Sequence, residues 1–376
     1  MSAGHWPMPA EEVMRLPYRS ETAALLSESA TRLFGAVNDG ELRKAELGGW
    51  SETSWREVAE AGFPLAFVSE AGGGFGVAPA EAIELVRIAG YHAAPVPLAE
   101  AMLANRLLTE AGFAPVDRPA TIAPVTGCTA FSLQREGAGW RIRGRAVGVP
   151  WARHAGTIVA LADHDGSPFV VALNRTIAEL EQRASLAGVP SDALTIDALL
   201  SNDDVRPAPT RWNCETLRAA GAALRVAEMA GALERVLELT VTYANERVQF
   251  GKPIGKQQAV QQSLAVLAGQ VAACGGAAAI AGAAFDGLDI PSIAAAKARA
   301  GEAVSVAAPI AHQVHGAIGF TEEHRLHFFT RRLWAWRDEF GSERHWSAIL
   351  GGQALAAGAE GLWPFVTAFG APQEAR

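Results

Sequence analysis

Apolar positions recur at helical spacing through the first third of the chain. One such stripe predicts an amphipathic helix, and its apolar residues are Ala24, Leu25, Ala30, Leu33 and Phe34. A second stripe, around Ile83 and Val86, follows a glycine-rich loop. Up to about residue 118 the pattern therefore predicts helices joined by short connections.

The pattern changes between about residues 121 and 204. Short runs of β-branched and aromatic residues are separated there by Gly, Asp and Pro, which is typical of strands in a small antiparallel sheet. The runs are residues 129–133, 140–143, 157–161 and 168–172. Pro207 and Pro209 then mark the end of this region.

Helical spacing returns from Cys214 to the end of the chain. A long amphipathic helix comes first, and the next helix, from Gln258 to about Phe285, is rich in Ala and Gly and suits a tight bundle. Pro291 and Pro309 are each expected near the start of a further helix.

The order of these regions predicts an α+β protein that is mainly α. We expect an N-terminal helical domain at residues 1–118 and a central β domain, a small barrel or antiparallel sheet, at residues 119–208. A C-terminal four-helix bundle is expected at residues 209–376.

Composition narrows the classes of function. The chain has 376 residues, 49% hydrophobic, and a net charge of -8, which argues against nucleic acid or an anionic membrane as the partner. No uninterrupted run of about 18 apolar residues is expected, and the three cysteines predict neither a disulfide framework nor a metal site. These features together predict a soluble, cytoplasmic protein.

Two motifs in the C-terminal region carry the chemistry. Residues 243–254 read Y-A-N-E-R-V-Q-F-G-K-P-I, with Gln258 eleven positions after Arg247. Residues 313–320 read Q-V-H-G-A-I-G-F. An arginine fork suits a diphosphate, and glycines let a helix backbone approach a flat or charged ligand.

The two motifs, at this separation, resemble those of the FAD-dependent acyl-CoA dehydrogenase family. The resemblance implies the helix, sheet, helix fold, the α,β-desaturation of an acyl-CoA thioester, and FAD as cofactor. It assigns the cofactor-binding role to Arg247, Phe250, Gln258, Gln313, Gly316, Ala317 and Ser342. In the family, all of these except the serine contact the FAD of the neighbouring subunit.

The catalytic base of the family is missing. The family places a glutamate either just before a G-(T/S) pair or near the start of the long helix. Gly341 and Ser342 preserve the pair, but Phe340 stands where the glutamate would be, and the second position falls on Gly221. Proton abstraction needs a carboxylate against the α-carbon, so bound flavin alone is not sufficient.

The segments that serve a chain's own ligands also depart from the family. Gly148 and Pro150 replace the Trp and Thr that cover and hydrogen-bond the flavin ring, and a proline has no N–H to donate. The acidic loop expected before them is reduced to residues 123–127. Ala219 and Ala222 replace the Asp and Arg that help to hold acyl-CoA.

Several single residues have alternative interpretations. A displaced base is possible at Glu339, Glu343 or Glu228, but paired surface charges and an Arg225–Glu228 pair are the alternative. The histidine pairs 312/315 and 324/327 have a spacing that suits a metal, yet packing is favoured. An aromatic and basic run at residues 328–337 indicates a subunit interface rather than nucleic acid.

The losses affect the chain's own site, whereas groups that serve a neighbour remain. This pattern resembles the non-catalytic chain of bacterial heterotetrameric acyl-CoA dehydrogenases, which include enzymes of fatty acid or steroid degradation. The leading hypothesis is a subunit that completes a partner's FAD and acyl-CoA site. The alternatives are a self-sufficient homotetramer that uses a displaced glutamate such as Glu339, and a catalytically silent scaffold.

Overall fold

The computed structural model describes residues 20–123 and 130–367. Within these ranges five α-helices precede the sheet, and Ser20 caps the first by accepting a hydrogen bond from the N–H of Ala23 at 3.2 Å. They are α1 (Glu21–Gly35), α2 (Asp39–Glu46), α3 (Glu52–Glu60), α4 (Pro79–Tyr91) and α5 (Leu98–Glu110). The predicted N-terminal helices are thereby confirmed.

A predominantly antiparallel sheet follows. Its strands are β1 (Ala120–Ala123), β2 (Phe131–Glu136), β3 (Gly139–Pro150), β4 (Thr157–His164), β5 (Ser167–Asn174), β6 (Glu179–Glu181), β7 (Ser191–Leu200) and β8 (Val205–Pro207). The order is β6-β7-β3-β2-β4-β5-β8, with β1 added beside β4. Strands β1 and β2 both pair with β4 in parallel, so the sheet is not antiparallel throughout.

All four predicted runs contribute to strands, namely β2 to β5. The sequence pattern missed β1, β6, β7 and β8; three of these have only three or four residues, too short for a periodic signal. Most of the shortened acidic loop at residues 123–127 lies outside the described residues.

The C-terminal helical bundle is confirmed. Its helices are α6 (Cys214–Glu246), α7 (Gln258–Phe285), α8 (Ile290–His315), α9 (Leu326–Asp338) and α10 (Glu343–Thr367). A hairpin of β9 (Val248–Gln249) and β10 (Lys252–Pro253) joins α6 to α7. Pro291 does open a helix, but the expectation for Pro309 is wrong because it lies inside α8, where packing against α7 and α9 outweighs its helix-breaking tendency.

The helices before and after the sheet share one hydrophobic core. Helices α4 and α6 cross at two glycines, and a Cβ added at Gly231 would lie 1.9 Å from the carbonyl oxygen of Arg87. This close approach fixes the N-terminal helices on the bundle. The sheet has a second core of its own. The division into domains at residues 118 and 208 stays a prediction.

Two findings bear on the expectations from composition, and the second corrects one of them. Helix α7 has 28 residues without a charge and is, by length and composition, a candidate to cross a membrane, although only 33% of its most apolar window is buried. This is weak evidence, since helices packed in soluble bundles pass the same test, and α7 packs against α6 and α8.

Cys214 is disulfide-bonded, whereas Cys274 is a free, buried thiol. The spacing of cysteines in the sequence does not show which of them meet in space.

Candidate functional site

The two positions where the family carries its glutamate lie side by side. Phe340, in the loop between α9 and α10, is buried and its ring lies directly against Gly221 of α6. A Cβ added at Gly221 would be 2.3 Å from two ring carbons. The remaining space, bounded also by Leu103 and Ile122, has no room for a water molecule. An aromatic ring therefore fills the place of the base.

The loop that carries Phe340 is fixed by buried donors. The amino group of Lys297 donates to the carbonyl oxygens of Trp336 at 2.9 Å, Arg337 at 2.6 Å and Gly341 at 3.0 Å. The indole N–H of Trp346 donates to the carbonyl oxygen of Phe340 at 3.1 Å. Phe340 itself adopts a φ of 55°, a left-handed conformation that an aromatic residue takes only when its surroundings impose it.

Lys297 was not found from the sequence. Burial lowers its pKa to about 7, a value often seen at catalytic lysines. All three N–H positions of its ammonium form are nevertheless used by main-chain carbonyls. The residue therefore holds the loop in place, and no sequence motif marked it.

Glu339, the displaced-base candidate, is held in an ion pair. Arg225 of α6 is buried and donates to Glu339 Oε2 at 2.7 Å, and it also pairs with Glu100 and Glu228. The expected Arg225–Glu228 pair is thus confirmed. The expectation of a solvated pairing for Glu339 is wrong, because it faces this buried arginine.

The three carboxylates exceed the charge of their shared arginine. Burial, together with the charges of Glu100 and Glu339, raises the pKa of Glu228 to about 8, although Arg225 opposes the shift. A proton is therefore retained within the cluster near neutral pH. Glu343, the remaining candidate, pairs with Arg337. None of these carboxylates faces a cavity large enough for a thioester.

The segment that would cover the chain's own flavin closes the cleft instead. Trp151 is buried and packs edge-on against Trp50 at a centroid distance of 5.9 Å, while Pro150 accepts a hydrogen bond from Thr121 at 2.7 Å. The cavity between this segment and Arg225 measures about 40 Å³. Ligand pockets measure ~300–1,000 Å³. The residues present here do not fit a flavin ring.

The positions of the acyl-CoA ligands have likewise joined the core. Ala219 and Ala222 are fully buried on α6 and offer no polar group. Their small side chains do not leave an open acyl cavity, because the surrounding helices and the Phe340 ring occupy the space. At the family's positions, Phe340, Gly221, Ala219 and Ala222 thus offer no carboxylate and no polar side chain.

The residues expected to contact the FAD of a neighbouring subunit are exposed, unlike those of the closed site. Arg247 follows α6, Phe250 is at the tip of the β9–β10 hairpin, and Gln258 is the first residue of α7. All three are exposed, Phe250 by 93%. The guanidinium of Arg247 makes no ion pair with any described residue. An apolar ring and a free cation displayed together are typical of a surface that binds another molecule.

The second motif lies next to the first. Tyr243, one turn before Arg247, stacks on His315 at a centroid distance of 4.6 Å, and His315 precedes Gly316. Gln313, Gly316 and Ala317 are exposed at the end of α8. Gly316 has a φ of 65°, and open space faces the position of its missing Cβ. The structure thus brings both motifs to one end of the bundle, with room for a ligand.

Ser342 does not join this group. It precedes α10 beside Phe340 and so lies near Gly221, whereas Arg247 is 26 positions further along α6. At 1.5 Å per residue this separation is about 39 Å. The expected cofactor residues therefore divide into an open set at the far end of the bundle and one serine at the closed site.

The histidines have local partners. His312 Nε2 lies 3.0 Å from the Thr330 hydroxyl, and His315 Nδ1 lies 2.8 Å from the carbonyl oxygen of Ala311. His327 Nδ1 contacts the carbonyl oxygen of His324 at 2.8 Å. Among the residues that the structure covers, no group of three or more ligating side chains is arranged for a metal ion.

Comparisons with known proteins identify similar sequences and folds. Residues 218–343 match the description "Acyl-CoA dehydrogenase, C-terminal domain". The chain is 29% identical to the acyl-CoA dehydrogenase IpdE2 of Mycobacterium tuberculosis over 76% of this chain and 81% of that protein.

Two solved structures share the fold. One is a variant of the Tcur3481-Tcur3483 steroid ACAD, with a TM-score of 0.81 and 25% identity over 90% of this chain and 99% of that chain. The other is the ChsE4-ChsE5 complex of Mycobacterium tuberculosis, with a TM-score of 0.78 and 23% identity over 90% and 98% of the two chains.

The contact between Phe340 and Gly221 predicts that the effect of Gly221→Ala on stability changes sign when the Phe340 ring is removed. In the wild-type background we expect a loss of about 1–3 kcal/mol in the free energy of unfolding, because the new methyl collides with the ring. In a Phe340→Ala background the same change should stabilise by up to about 1 kcal/mol, the ordinary helix preference for alanine. Urea denaturation measures both values.

Gly276→Ala in α7, where open space faces the new Cβ, is the matched control and should have a similar small effect in both backgrounds. Equal effects of Gly221→Ala in the two backgrounds would contradict the contact.

The carboxylate cluster predicts a pH dependence of stability. The folded chain holds a proton on Glu228 up to about pH 8, whereas the unfolded chain releases it near the ordinary glutamate pKa of 4.5. Between these values unfolding releases a proton, so stability falls as pH rises. Relative to Glu228→Gln, the wild-type free energy of unfolding should drop by at least about 1.4 kcal/mol from pH 5 to 8, as measured by urea denaturation. A difference that stays constant or grows with pH would exclude the protonated cluster.

Proposed function

The chain belongs to the acyl-CoA dehydrogenase family, and on that basis we propose that it is the subunit that completes the FAD site of a related partner chain. The pair would carry out the α,β-desaturation of an acyl-CoA thioester. The partner supplies the glutamate that removes the α-proton, and this chain supplies part of the cofactor site. We place the two chains in a cytoplasmic heterotetramer.

The contact between Phe340 and Gly221 carries this proposal. It occupies both positions from which a carboxylate reaches the α-carbon in the family. The loop around it is held by Lys297 and Trp346, so a neighbouring glutamate does not replace the ring without breaking buried hydrogen bonds. A chain built in this way needs a base from elsewhere.

The open end of the bundle supports the proposal that this chain supplies part of a partner's FAD site. Bound FAD supplies the acceptor for the hydride that leaves the β-carbon. Arg247 would bind the diphosphate, and the amides of Gln258 and Gln313 would donate to and accept from the cofactor. Phe250 would be covered by the partner, which removes its exposed ring from water.

The substrate class is proposed from the relatives. One structural neighbour is described as a steroid ACAD and another as a complex of two named chains. A thioester of a steroid-derived acyl group is therefore the first substrate to test. A self-sufficient homotetramer would need a displaced base such as Glu339, but that carboxylate is paired with the buried Arg225.

The proposal predicts the colour of the purified protein. The chain alone should bind no flavin, whereas the complex with a related chain that carries the missing glutamate should be yellow and should bleach on addition of an acyl-CoA. Visible absorption spectra measure both. Flavin bleached by acyl-CoA without any partner would establish the homotetramer instead, and colourless protein in every combination would leave a silent scaffold.

Variants of the complex sharpen this test. Arg247→Ala should lower the flavin content several-fold because a charge-assisted contact to the diphosphate is lost. Arg56→Ala, at a surface arginine whose side chain is 61% exposed, is the matched control and should leave it unchanged. Glu339→Gln should leave turnover nearly unchanged, and a large loss would move the base to Glu339.

A further inference from the structure

A cavity of about 860 Å³ lies between helices α1, α4 and α6, and the proposed function does not use it. We call it the α1 cavity, and the side chains that characterise it are those of Leu25, Glu84, Arg87, Tyr91, His92 and Glu234. Its volume lies within the usual range for small-molecule pockets, ~300–1,000 Å³.

The α1 cavity is separate from both ends of α6. Glu234 is 13 positions from Gly221 at the closed site and 13 positions from Arg247 at the open end. At 1.5 Å per residue each separation is about 20 Å along the helix. Whatever binds here therefore binds away from the acyl-CoA and FAD positions of the family.

Two carboxylates share one arginine in the floor of the cavity. Glu84, which is 2% exposed, accepts from Arg87 Nε at 2.8 Å and from Nη2 at 2.5 Å. The Nη1 atom of Arg87 donates to Glu234 Oε2. The other oxygen of Glu234 is buried and accepts no hydrogen bond from any described residue. The floor thus has one carboxylate more than its arginine neutralises.

This surplus affects the protonation of Glu234. Burial raises the pKa of Glu234 to about 7, and the charge of Glu84 adds to the shift although Arg87 opposes it. The thiol of Cys274 on α7 lies near enough to feel the same charge, and burial raises its pKa to about 12, so it stays neutral. At neutral pH the floor therefore retains part of a proton that a bound cation can replace.

The remaining charges of the lining also favour a cation. Arg235 pairs with Glu238 at 2.5 Å, and Arg325 pairs with Asp39 at 2.6 Å. Arg32, on the rim, is the one arginine of the lining without a carboxylate partner among the described residues. The carboxylates are Glu21, Glu28, Glu84 and Glu234 of the lining, together with Asp39 and Glu238. Six carboxylates surround four arginines, so an anion would have to displace a carboxylate from its arginine.

Apolar and aromatic side chains form the rest of the wall. Ile88 and Phe329 are buried, and Leu25 is 61% exposed at the opening. The rings of Tyr91 and His92 meet edge-on at a centroid distance of 4.9 Å. Burial, with the charges of nearby arginines, lowers the pKa of His92 to about 4, so its ring is neutral at physiological pH. These surfaces suit the apolar body of an organic ligand.

We propose that the α1 cavity binds an organic ammonium ion, whose cationic group pairs with Glu234 and whose apolar body lies against Leu25, Ile88 and Phe329. The ammonium N–H groups satisfy the free carboxylate oxygen. Binding expels the proton that Glu234 retains, so the complex releases a proton as it forms. This site is independent of the proposed function.

The test uses three probes of similar size, namely 2-phenylethylamine, 2-phenylethanol and phenylacetate, which end in a cation, a neutral hydroxyl and an anion. The purified full chain is titrated with each by calorimetry at pH 7. The amine should bind with a dissociation constant on the order of 1 mM or below, roughly tenfold or more tighter than the alcohol, and phenylacetate should bind most weakly. Titrations in buffers of different ionisation enthalpy should show the release of about half a proton for each bound amine, because the pKa of Glu234 is about 7.

Variants assign the binding to the cavity. Glu234→Gln keeps the shape of the side chain without its charge, so it should weaken the amine roughly tenfold and abolish the proton release, while the alcohol changes by less than about twofold. Leu25→Arg adds a cation at the exposed opening without touching the core and should weaken the amine several-fold. Glu302→Gln and Leu47→Arg, at exposed positions outside the cavity, are the matched controls and should change neither probe.

Three results would overturn the proposal. The first is an alcohol or phenylacetate that binds as tightly as the amine. The second is binding of the amine that both Glu234→Gln and Leu25→Arg leave unchanged, which would place the amine elsewhere. The third is no binding of the amine at about 10 mM. None of these results involves the flavin content of the two-chain complex, so the proposed function stands or fails separately.

Discussion

The ring of Phe340 rests on the α-carbon of Gly221, and most features of the site depend on this contact. Gly221 is required because any side chain there would collide with the ring. The ring stays in place because Lys297 and Trp346 hold the carbonyls of its loop, and because Arg225 holds Glu339. A family site that would admit a thioester has thereby become packed core, with the usual cost for any change in volume.

The closed site and the open end of the bundle lie at opposite ends of helix α6. The chain has lost the groups that serve its own ligands, yet Arg247 and Gln313 remain exposed at the opposite end of α6 and α8. Exposed groups of this kind give a single chain no stability. Under the proposed function another chain brings the cofactor that these groups bind, and the same long helix has a closed site at its start and an open site at its end.

The fold could be predicted from the sequence because the periodicities of helices and strands are local properties of the chain. Helix α7 begins and ends where its pattern predicted, at Gln258 and Phe285. The prediction failed where packing decides, as at Pro309 inside α8. Phe340 and Gly221 were each identified from the sequence, but their contact was not, since it joins residues 119 positions apart. Lys297 carried no motif, and only the fold shows what it touches.

The most direct measurement of the central claim is the number of flavins in the purified two-chain complex. Protein is quantified by amino-acid analysis and FAD by its absorbance after release from the denatured complex. The proposed function assigns no flavin to the closed cleft beside Arg225, so we predict one FAD for each pair of unlike chains. One FAD for every chain would contradict the account.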